Sequence, residues 1–191
     1  MYKLIKLEDI IRISPEKLKE DLNKVTKSVV KENSEGKLYK DIGMILLVKN
    51  VKRVGDGEIV PGDGSVYQRV RFDALVFKPE NQELVEGKVS QVVEFGAFLR
   101  FGPLDGLIHV SQIMNDYIDV DIANGRLVGK ESKNVLKVNS RCRARIVSLS
   151  LNESNPKMSR IGLTMRQPGM GNLEWPNKKT EEKSNKKVEK K

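Results

Sequence analysis

Cysteine and histidine are scarce in this chain of 191 residues, which contains one of each, Cys142 and His109. A single cysteine cannot form a disulfide within the chain, and its strand-like surroundings predict a small buried core residue. One histidine, one cysteine and no spaced carboxylate motif leave no activated nucleophile, acid–base pair or metal constellation. We therefore expect no catalytic site and no cofactor. The string GxxxxGK is also absent, which argues against phosphate binding of the P-loop type.

Long apolar runs are missing as well. The run MILLV at residues 44–48 is only strand-sized, and the mean hydropathy of the chain is -0.45. The N-terminus lacks the apolar core of a secretory signal peptide. These features predict a cytoplasmic protein without a membrane partner.

Positive charge is abundant and unevenly distributed. The formal net charge is +9, and residues 134–168 carry seven basic side chains against one acid. Residues 177–191 hold seven lysines and three glutamates, whereas acids outnumber basic residues between positions 84 and 133. A local positive field of this kind attracts the phosphate backbone of a nucleic acid.

The first 80 residues read as a mixed α and β domain. Residues 2–11 form a predicted strand, and Ser14, Pro15 and Glu16 have the residue types of a helix N-terminus. An apolar stripe at helical spacing follows and ends near residues 33–36; its members are Leu18, Leu22, Val25 and Val29. Residues 38–54 are strand-rich, residues 55–64 contain four glycines and a proline, and alternation at residues 70–76 predicts another strand.

Residues 79–82 mark the predicted domain boundary, and an all-β domain is expected over residues 81–170. Its five strand candidates are residues 84–93, 95–101, 107–113, 141–151 and 160–166. Residues 115–133 show acids, glycines and little periodicity, so they read as an inserted connection. Asp116, Asp119 and Asp121 in it lack the preset geometry of a metal site and are expected to be solvated. Residues 171–191 form a C-terminal extension whose lysine-rich part, from residue 176, is expected to be disordered.

Two aromatic residues flank a glycine in the second strand candidate. Phe95 and Phe98 are three positions apart and would face opposite sides of a regular strand. A bulge at Gly96 could place both rings on one face. His109 alternates with Ile108 and Val110, so it is expected to point outward if those branched residues point inward. Two exposed rings and an imidazole would make a stacking platform for unpaired bases, although phenylalanines in a core remain the alternative.

Basic residues in the last strands complete this face. Arg143 and Arg145 alternate with small or apolar neighbours, which predicts that both guanidinium groups reach solvent. Arg160 is expected on the outer side of the last strand, and Lys88 on the polar side of the first. These side chains would contact phosphates or would simply form a solvated strand face.

The segment at residues 85–113, with RCRARIVSLSL and RIGLTMR further on, resembles an S1 domain, the five-stranded OB-type barrel of many RNA-binding proteins. The N-terminal KDIGMILLVKNV and the loop GDGEIVPGDGSVYQRVRF resemble the E-prime family of archaeal RNA polymerase subunits, the counterpart of the seventh subunit of eukaryotic polymerase II. The closing LTMRQPGMGNLEW fits the same family, and the resemblance extends from Met1 to Trp175.

This resemblance implies a truncated RNP-like N-terminal domain, with one helix on a curved antiparallel sheet, followed by the S1 barrel. The RNA-binding pattern of S1 domains falls on Phe95, Phe98, His109 and Arg160. An aspartate frequent in that family is replaced here by Ser150, which puts hydrogen bonding at that position in doubt. The segments that would insert into the polymerase core are Lys40, Asp41, Ile42 and Gly43, together with Gly62, Asp63, Gly64 and Ser65.

The resemblance also implies a smaller helical stalk partner, the F component of the archaeal polymerase, with which the chain would form a heterodimer. The first strand suits such a partner because it is very apolar for a free edge; the residues concerned are Tyr2, Leu4, Leu7, Ile10 and Ile11. The leading hypothesis is a non-catalytic stalk subunit that docks on the core enzyme and binds nascent single-stranded RNA. The alternatives are a stand-alone S1 protein of the exosome-cap or translation-factor type, and an assembly adaptor that makes no RNA contact.

Overall fold

The computed structural model describes residues 1–175, so the predicted disorder of the tail from residue 176 lies outside the described residues. The chain forms two compact units. The first contains Met1–Pro79 and Leu151–Met158, and the second contains Glu80–Ser150 and the described residues from Ser159 onward.

The first unit is built on an antiparallel sheet of five strands, β1 (Tyr2–Ile13), β2 (Leu38–Tyr39), β3 (Gly43–Arg53), β4 (Glu58–Ile59) and β5 (Val66–Phe77). Strand β5 is central: it pairs with β1 along the whole length of both strands, with β3 on its other side, and with β4 near its start. The alternation predicted for β5 is confirmed, because its inward side chains are buried; they are Val70, Phe72, Ala74 and Val76.

One α-helix, α1 (Leu22–Ser34), covers the inner face of this sheet. Val25, Val29 and Val30 are its buried apolar residues and belong to the same core as the inward residues of β5. Burying such a stripe is the main stabilising term for a helix of this length, since short helices are marginal in water.

The predicted start of the helix was wrong. Ser14 makes no side-chain capping bond and precedes a 3-10 helix, Pro15–Lys19, after which the backbone of Glu20 is extended. The α-helix begins seven residues later, where the Asp21 carboxylate accepts a hydrogen bond of 2.9 Å from the Asn23 backbone N–H. Both serine and aspartate are good caps, and the extended residue between the two helices decides which of them caps the longer one.

The second unit contains nine strands: β6 (Leu84–Val93), β7 (Gly96–Phe101), β8 (Leu104–His109), β9 (Ile118–Asp121), β10 (Arg126–Gly129), β11 (Val135–Lys137), β12 (Arg141–Ser150), β13 (Arg160–Thr164) and β14 (Gly171–Asn172). Five of them close a ring, in which β6 pairs with β7, β7 with β8, β8 with β13, β13 with β12, and β12 with β6. The predicted five-stranded barrel is therefore confirmed. The short β14 adds to β12 where β13 has ended.

The third barrel strand differs from its prediction at both ends. Residues 107–113 were expected, but β8 starts at Leu104 and ends at His109, and Val110–Gln112 form a 3-10 turn. The tight approach of β7 and β8, with Phe101 opposite Leu104, explains the early start.

The predicted inserted connection is in fact a small sheet. Strands β9, β10 and β11 pair antiparallel in the order β11, β10, β9, with Leu127 and Leu136 fully buried. Asp116 joins the segment before β9 to the segment after β10, because its carboxylate accepts hydrogen bonds from the backbone N–H groups of Glu131 and Ser132. These bonds lower the pKa of Asp116, so this acid is structural and was wrongly expected to be merely solvated.

Gly96 allows the closest approach of two barrel strands. A Cβ atom at this position would overlap the carbonyl oxygen of Ile108, which belongs to the neighbouring strand β8. Only glycine fits there, since the overlapped atom is backbone and cannot rotate away.

Replacing Gly96 with alanine is expected to lower the free energy of unfolding of the barrel by about 3 kcal/mol, because β7 and β8 must separate to admit the methyl group. The measurement is a urea titration followed by the fluorescence of Trp175, the only tryptophan in the chain. Gly169→Ala is the control, since Gly169 also has a positive φ but has no atom within 4 Å of the place that a methyl group would occupy. It should cost only about 1 kcal/mol, and equal losses for the two variants would contradict the steric explanation.

Candidate nucleic-acid interface

The two predicted aromatic residues lie side by side. Phe95 is half exposed in the two-residue turn that joins β6 to β7, and Phe98 is partly exposed on the outer face of β7. Their ring centroids are 6.5 Å apart with an interplanar angle of 84°, an edge-to-face arrangement. The structure therefore places both rings at one surface of the barrel, as the sequence predicted.

The reason for this arrangement is not the predicted one. Gly96 is in regular register opposite Val93 and His109, so no bulge occurs there. Phe95 reaches the same side as Phe98 because it lies in the turn, where the alternation of a strand does not apply.

A bulge is present one strand earlier, at Ser90. The register of the β6–β7 ladder shifts between Val89 and Gln91, and the Ser90 hydroxyl donates a hydrogen bond of 3.2 Å to the Phe98 carbonyl oxygen. The extra residue inverts the alternation, so that Gln91 is exposed and Val92 is buried.

His109 is exposed at the end of β8, directly opposite Gly96. Its Nδ1 atom accepts a hydrogen bond of 3.3 Å from the Ser111 backbone N–H and lies 2.9 Å from the Ser111 hydroxyl oxygen. These contacts fix the ring by one nitrogen and leave Nε2 directed away from Ser111, available to a ligand.

Strand pairing connects Phe98 to the last strand of the barrel. Phe98 lies opposite Leu107, and Leu107 in turn lies beside Gly162 on β13. Arg160 is two residues before Gly162, so its side chain is on the same outer face, about 7 Å along the strand. No described residue forms an ion pair or a side-chain hydrogen bond with Arg160.

The missing family aspartate has a structural consequence at this point. Ser150 pairs directly with Arg160 across the β12–β13 ladder. Because serine carries no charge, the carboxylate that could neutralise Arg160 from this position is absent. The guanidinium group remains available to an external anion.

Lys88 is also exposed on the outer face, where it lies between Arg100 on β7 and Arg141 on β12. Arg100 itself forms an ion pair with Asp105, with a Nε to Oδ1 distance of 2.9 Å, which raises the pKa of Arg100. The charge that the barrel offers on this row therefore comes from Lys88 and Arg141.

The two arginines of β12, Arg143 and Arg145, are less accessible to a ligand than Arg160. Arg143 forms an ion pair with Glu86, with N–O distances of 2.6 and 2.8 Å. Arg145 is half-buried, and its Nε atom is buried without a hydrogen-bond partner among residues 1–175. Cys142, which precedes Arg143 in the same strand, is fully buried as predicted, and burial raises the pKa of its thiol to about 12.

The first of the two predicted docking segments is a tight turn between β2 and β3. The Lys40 backbone N–H donates a hydrogen bond of 2.7 Å to the Glu153 carboxylate, and the Lys78 ammonium group donates one of 2.5 Å to the Asp41 carbonyl oxygen. A side chain on Gly43 would overlap the Phe77 carbonyl oxygen. Ile42 packs against the apolar core of the unit. The segment is thus tied down at every residue.

The second predicted segment, Gly62 to Ser65, is organised by a single carboxylate. Asp63 forms an ion pair with Arg12, with N–O distances of 2.5 and 2.9 Å, and accepts a hydrogen bond of 2.8 Å from the Tyr67 hydroxyl. These partners hold the pKa of Asp63 well below its usual range. Gly62 and Gly64 on either side have positive φ angles, and Ser65 is fully buried.

The sequence reasoning missed the most exposed apolar residues of this loop. Ile59 is 68% exposed and Val60 is 45% exposed. A groove of about 460 Å³ runs beside them, and its lining residues are Ile10, Val54, Gly55, Asp56, Glu58, Val60, Tyr67 and Arg69. The sequence did contain a signal for this exposed pair, because two adjacent branched apolar residues lie between Gly57 and Gly62 in a glycine-rich loop.

The first strand exposes only some of the apolar residues assigned to a partner. Tyr2, Leu4 and Ile10 are exposed, and Leu4 reaches 70%. Ile11 is buried and Leu7 packs against the core, so assigning these two residues to a partner surface was wrong. Leu7 and Ile11 have odd residue numbers, and side chains alternate along a strand, so these two lie on the face of β1 that points toward the helix.

Within residues 1–175, no helix is both long and apolar enough to cross a membrane. The same part of the chain contains no group of three or more histidine, cysteine or acidic side chains that could hold a metal ion.

Comparison with known proteins gives two family matches and several close relatives. The S1 RNA binding domain matches residues 78–161, and the SHS2 domain found in the N terminus of Rpb7p and Rpc25p matches residues 8–64. The DNA-directed RNA polymerase subunit Rpo7 of Saccharolobus shibatae is 41% identical over 175 residues, which cover 92% of this chain and 97% of that protein. This chain belongs to the Rpo7 family.

Other members of the polymerase-subunit group agree. Rpo7 of Sulfolobus acidocaldarius is 40% identical over 177 residues, covering 93% of this chain and 96% of that protein. The RNA polymerase III subunit RPC8 of Saccharomyces cerevisiae is 31% identical over 96 residues, covering 50% of this chain and 45% of that protein. The resemblance seen in the sequence is thereby confirmed. As a member of the Rpo7 family the chain is not an enzyme by itself.

Proposed function

We propose that this chain docks on the RNA polymerase core through its first unit and binds nascent single-stranded RNA on the outer face of its barrel. The observation that carries the RNA part is the adjacent pair of accessible rings, Phe95 and Phe98, next to the neighbouring strands that present His109 and Arg160. An aromatic pair beside an unneutralised arginine is the combination that sequence-tolerant binding of single strands uses.

The proposed mechanism divides the RNA between two kinds of contact. Bases stack on Phe95 and Phe98, and each stacked base contributes about 1–3 kcal/mol to binding. Arg160 and Lys88 contact phosphates, and His109 offers Nε2 to a base or a ribose hydroxyl. The stacking term tolerates any base and the phosphate term is salt-dependent, so binding is weakly sequence-dependent and strongly salt-dependent.

Arg143 and Arg145 also remain candidates for RNA contact, with smaller expected effects. The Glu86 carboxylate already neutralises Arg143, and burial restricts Arg145. An ion-paired arginine must exchange its partner for the phosphate, so its net contribution to binding is reduced.

The proposed docking surface on the core combines the two predicted segments with the exposed loop apex. The two segments are rigid and lie at opposite ends of β5, because Met44 pairs with Phe77 and Ile59 pairs with Val66. One is Lys40, Asp41, Ile42 and Gly43, and the other is Gly62, Asp63, Gly64 and Ser65. Ile59 and Val60 are the exposed apolar pair beside the second segment, and such pairs gain most by insertion into a partner. The Arg12–Asp63 ion pair keeps the loop in a fixed conformation, which reduces the entropy cost of docking.

We further propose that the small helical stalk partner, the F component, covers the exposed apolar part of β1, namely Tyr2, Leu4 and Ile10. An apolar edge strand needs protection from unwanted pairing, and a partner supplies it. The relatives at 40–41% identity come from Saccharolobus and Sulfolobus, archaea whose cells have no nucleus, so the proposed location is the cytoplasm.

The two alternatives are separated by different observations. Identity that extends over 92% of the chain to Rpo7 favours the polymerase component over a stand-alone S1 protein. An adaptor without RNA contact would bind the core normally and show no RNA affinity that depends on the barrel face.

The RNA-binding face is tested by comparing Phe98→Ala with Arg160→Ala in the full-length chain. Phe98→Ala should weaken binding of a single-stranded RNA decamer about tenfold, because one stacking surface is lost. Arg160→Ala should lower the slope of log K against log salt by about 0.7, because one phosphate contact is lost. The measurement is fluorescence anisotropy over a range of salt concentrations.

Each variant has a matched control in the same unit. Tyr117→Ala removes an aromatic ring that is 78% exposed just before the inserted sheet, and it should leave RNA affinity unchanged. Arg143→Ala removes an arginine already paired with Glu86 and should change the salt slope less than Arg160→Ala does. If neither Phe98→Ala nor Arg160→Ala weakens binding, the proposed face is wrong.

The docking surface is tested by replacing Ile59 and Val60 together with serine. Affinity purification of this variant should recover less core polymerase, by about tenfold or more, because two exposed apolar side chains no longer insert into the partner. Ile122→Ser, which changes an apolar residue 50% exposed in the second unit, is the control and should recover normal amounts. Unchanged recovery with the double variant would place docking elsewhere.

A further inference from the structure

Gln91 occupies the position nearest to the proposed base-stacking surface on β6. It lies directly opposite Phe98 in the β6–β7 ladder, and both side chains are on the outer face of the barrel. Side chains paired in this way have Cβ atoms about 5 Å apart. The edge of a base stacked on Phe98 therefore falls within reach of the Gln91 amide.

The bulge at Ser90 is what brings Gln91 to this place. Without the extra residue, the alternation that starts from buried Val89 would expose Ser90 and bury Gln91. The register shift instead exposes Gln91 and buries Val92, and the Ser90 hydroxyl secures the shift through its bond to the Phe98 carbonyl oxygen. The same bond ties the bulge to the strand that carries the ring.

The Gln91 amide is also chemically free. Its side chain makes no hydrogen bond to any residue that the structure describes, whereas Gln112 in the same unit accepts one of 2.8 Å from the Thr164 hydroxyl. A primary amide presents a donor and an acceptor together, which is the pattern that pairs with the polar edge of a base. Neither Phe95 nor Phe98 can supply this, because a phenyl ring offers only its face and its C–H edge.

We propose that Gln91 reads the edge of the base stacked on Phe98 and gives the RNA face a base preference. This inference rests on the proposed function of the barrel face. Phe98 holds the base, and the amide of Gln91 discriminates between bases by whether its donor and acceptor are both matched. A mismatched edge leaves one amide group without a partner, so the preference is modest at this solvent-exposed site.

The test compares binding of labelled decamers of adenosine, cytidine and uridine to the full-length chain and its variants at one salt concentration. The wild-type chain should bind its best decamer about three- to tenfold more tightly than its weakest, as expected for one exposed hydrogen-bonded contact. Gln91→Ala should reduce this ratio to below about twofold, with little change for the weakest decamer. Gln91→Glu, which loses the donor and keeps an acceptor, should change the order of preference.

Arg160→Ala provides the contrast, because loss of a phosphate contact should weaken all three decamers by the same factor. A wild-type ratio that survives unchanged in Gln91→Ala overturns the inference, as does a wild-type chain without any preference. If the wild-type chain binds the decamers and Phe98→Ala weakens them while Gln91→Ala keeps the ratio, only the role of Gln91 fails. If the wild-type chain binds no decamer, the proposed function fails and this inference fails with it.

Discussion

The register of β7 against its two neighbours, β6 and β8, is the constraint on which the proposed RNA face depends. Gly96 permits close contact with the Ile108 backbone, and this contact fixes where β7 lies against β8. From that register follow the outward direction of Phe98 and the position of His109 opposite Gly96. The tight turn places Phe95 on the same side of the barrel as Phe98, and the bulge at Ser90 places Gln91 on that side as well. A shift of β7 by one residue against these neighbours would turn Phe98 into the core.

The two units present different chemistry, and each is organised by different means. In the barrel, backbone register positions rings and charges, and Arg160 gains its availability from the uncharged Ser150 opposite. In the first unit, side-chain hydrogen bonds hold the loop at residues 62–65 in place, because the Asp63 carboxylate accepts hydrogen bonds from Arg12 and Tyr67. A rigid apex suits insertion into a protein partner, whereas an accessible ring pair suits a flexible strand that changes sequence continually.

Periodicity in the sequence predicted those elements whose alternation is long and regular. Strand β5 was predicted well because buried apolar residues recur at every second position from Val70 to Val76. The inserted sheet was missed because β9, β10 and β11 are three or four residues long, too short for a period to be recognised. The start of α1 was missed because two good caps compete and an extended Glu20 between them decides the outcome.

The composition of the candidate site was more predictable than its geometry. Phe95, Phe98, His109 and Arg160 were recognised by residue type and resemblance, but the bulge was assigned to Gly96 because glycine is the usual residue for one. The actual bulge at Ser90 had no clear signal in the sequence, because Val85, Val89 and Val93 keep the spacing of a regular strand. Only the burial of Val92 in the structure shows the change. The ion pair of Arg143 with Glu86 depends on cross-strand pairing and has no local signal.

Photo-crosslinking tests the central claim most directly. A single-stranded RNA containing 4-thiouridine is irradiated with the full-length chain, and the crosslinked tryptic peptides are identified by mass spectrometry. Trypsin cleaves after Lys88 and Arg100, so residues 89–100 form one peptide that contains Gln91, Phe95 and Phe98. We expect this peptide to be the main crosslinked product. Crosslinks confined to the first unit or to the inserted sheet, with none in residues 89–100, would contradict the account.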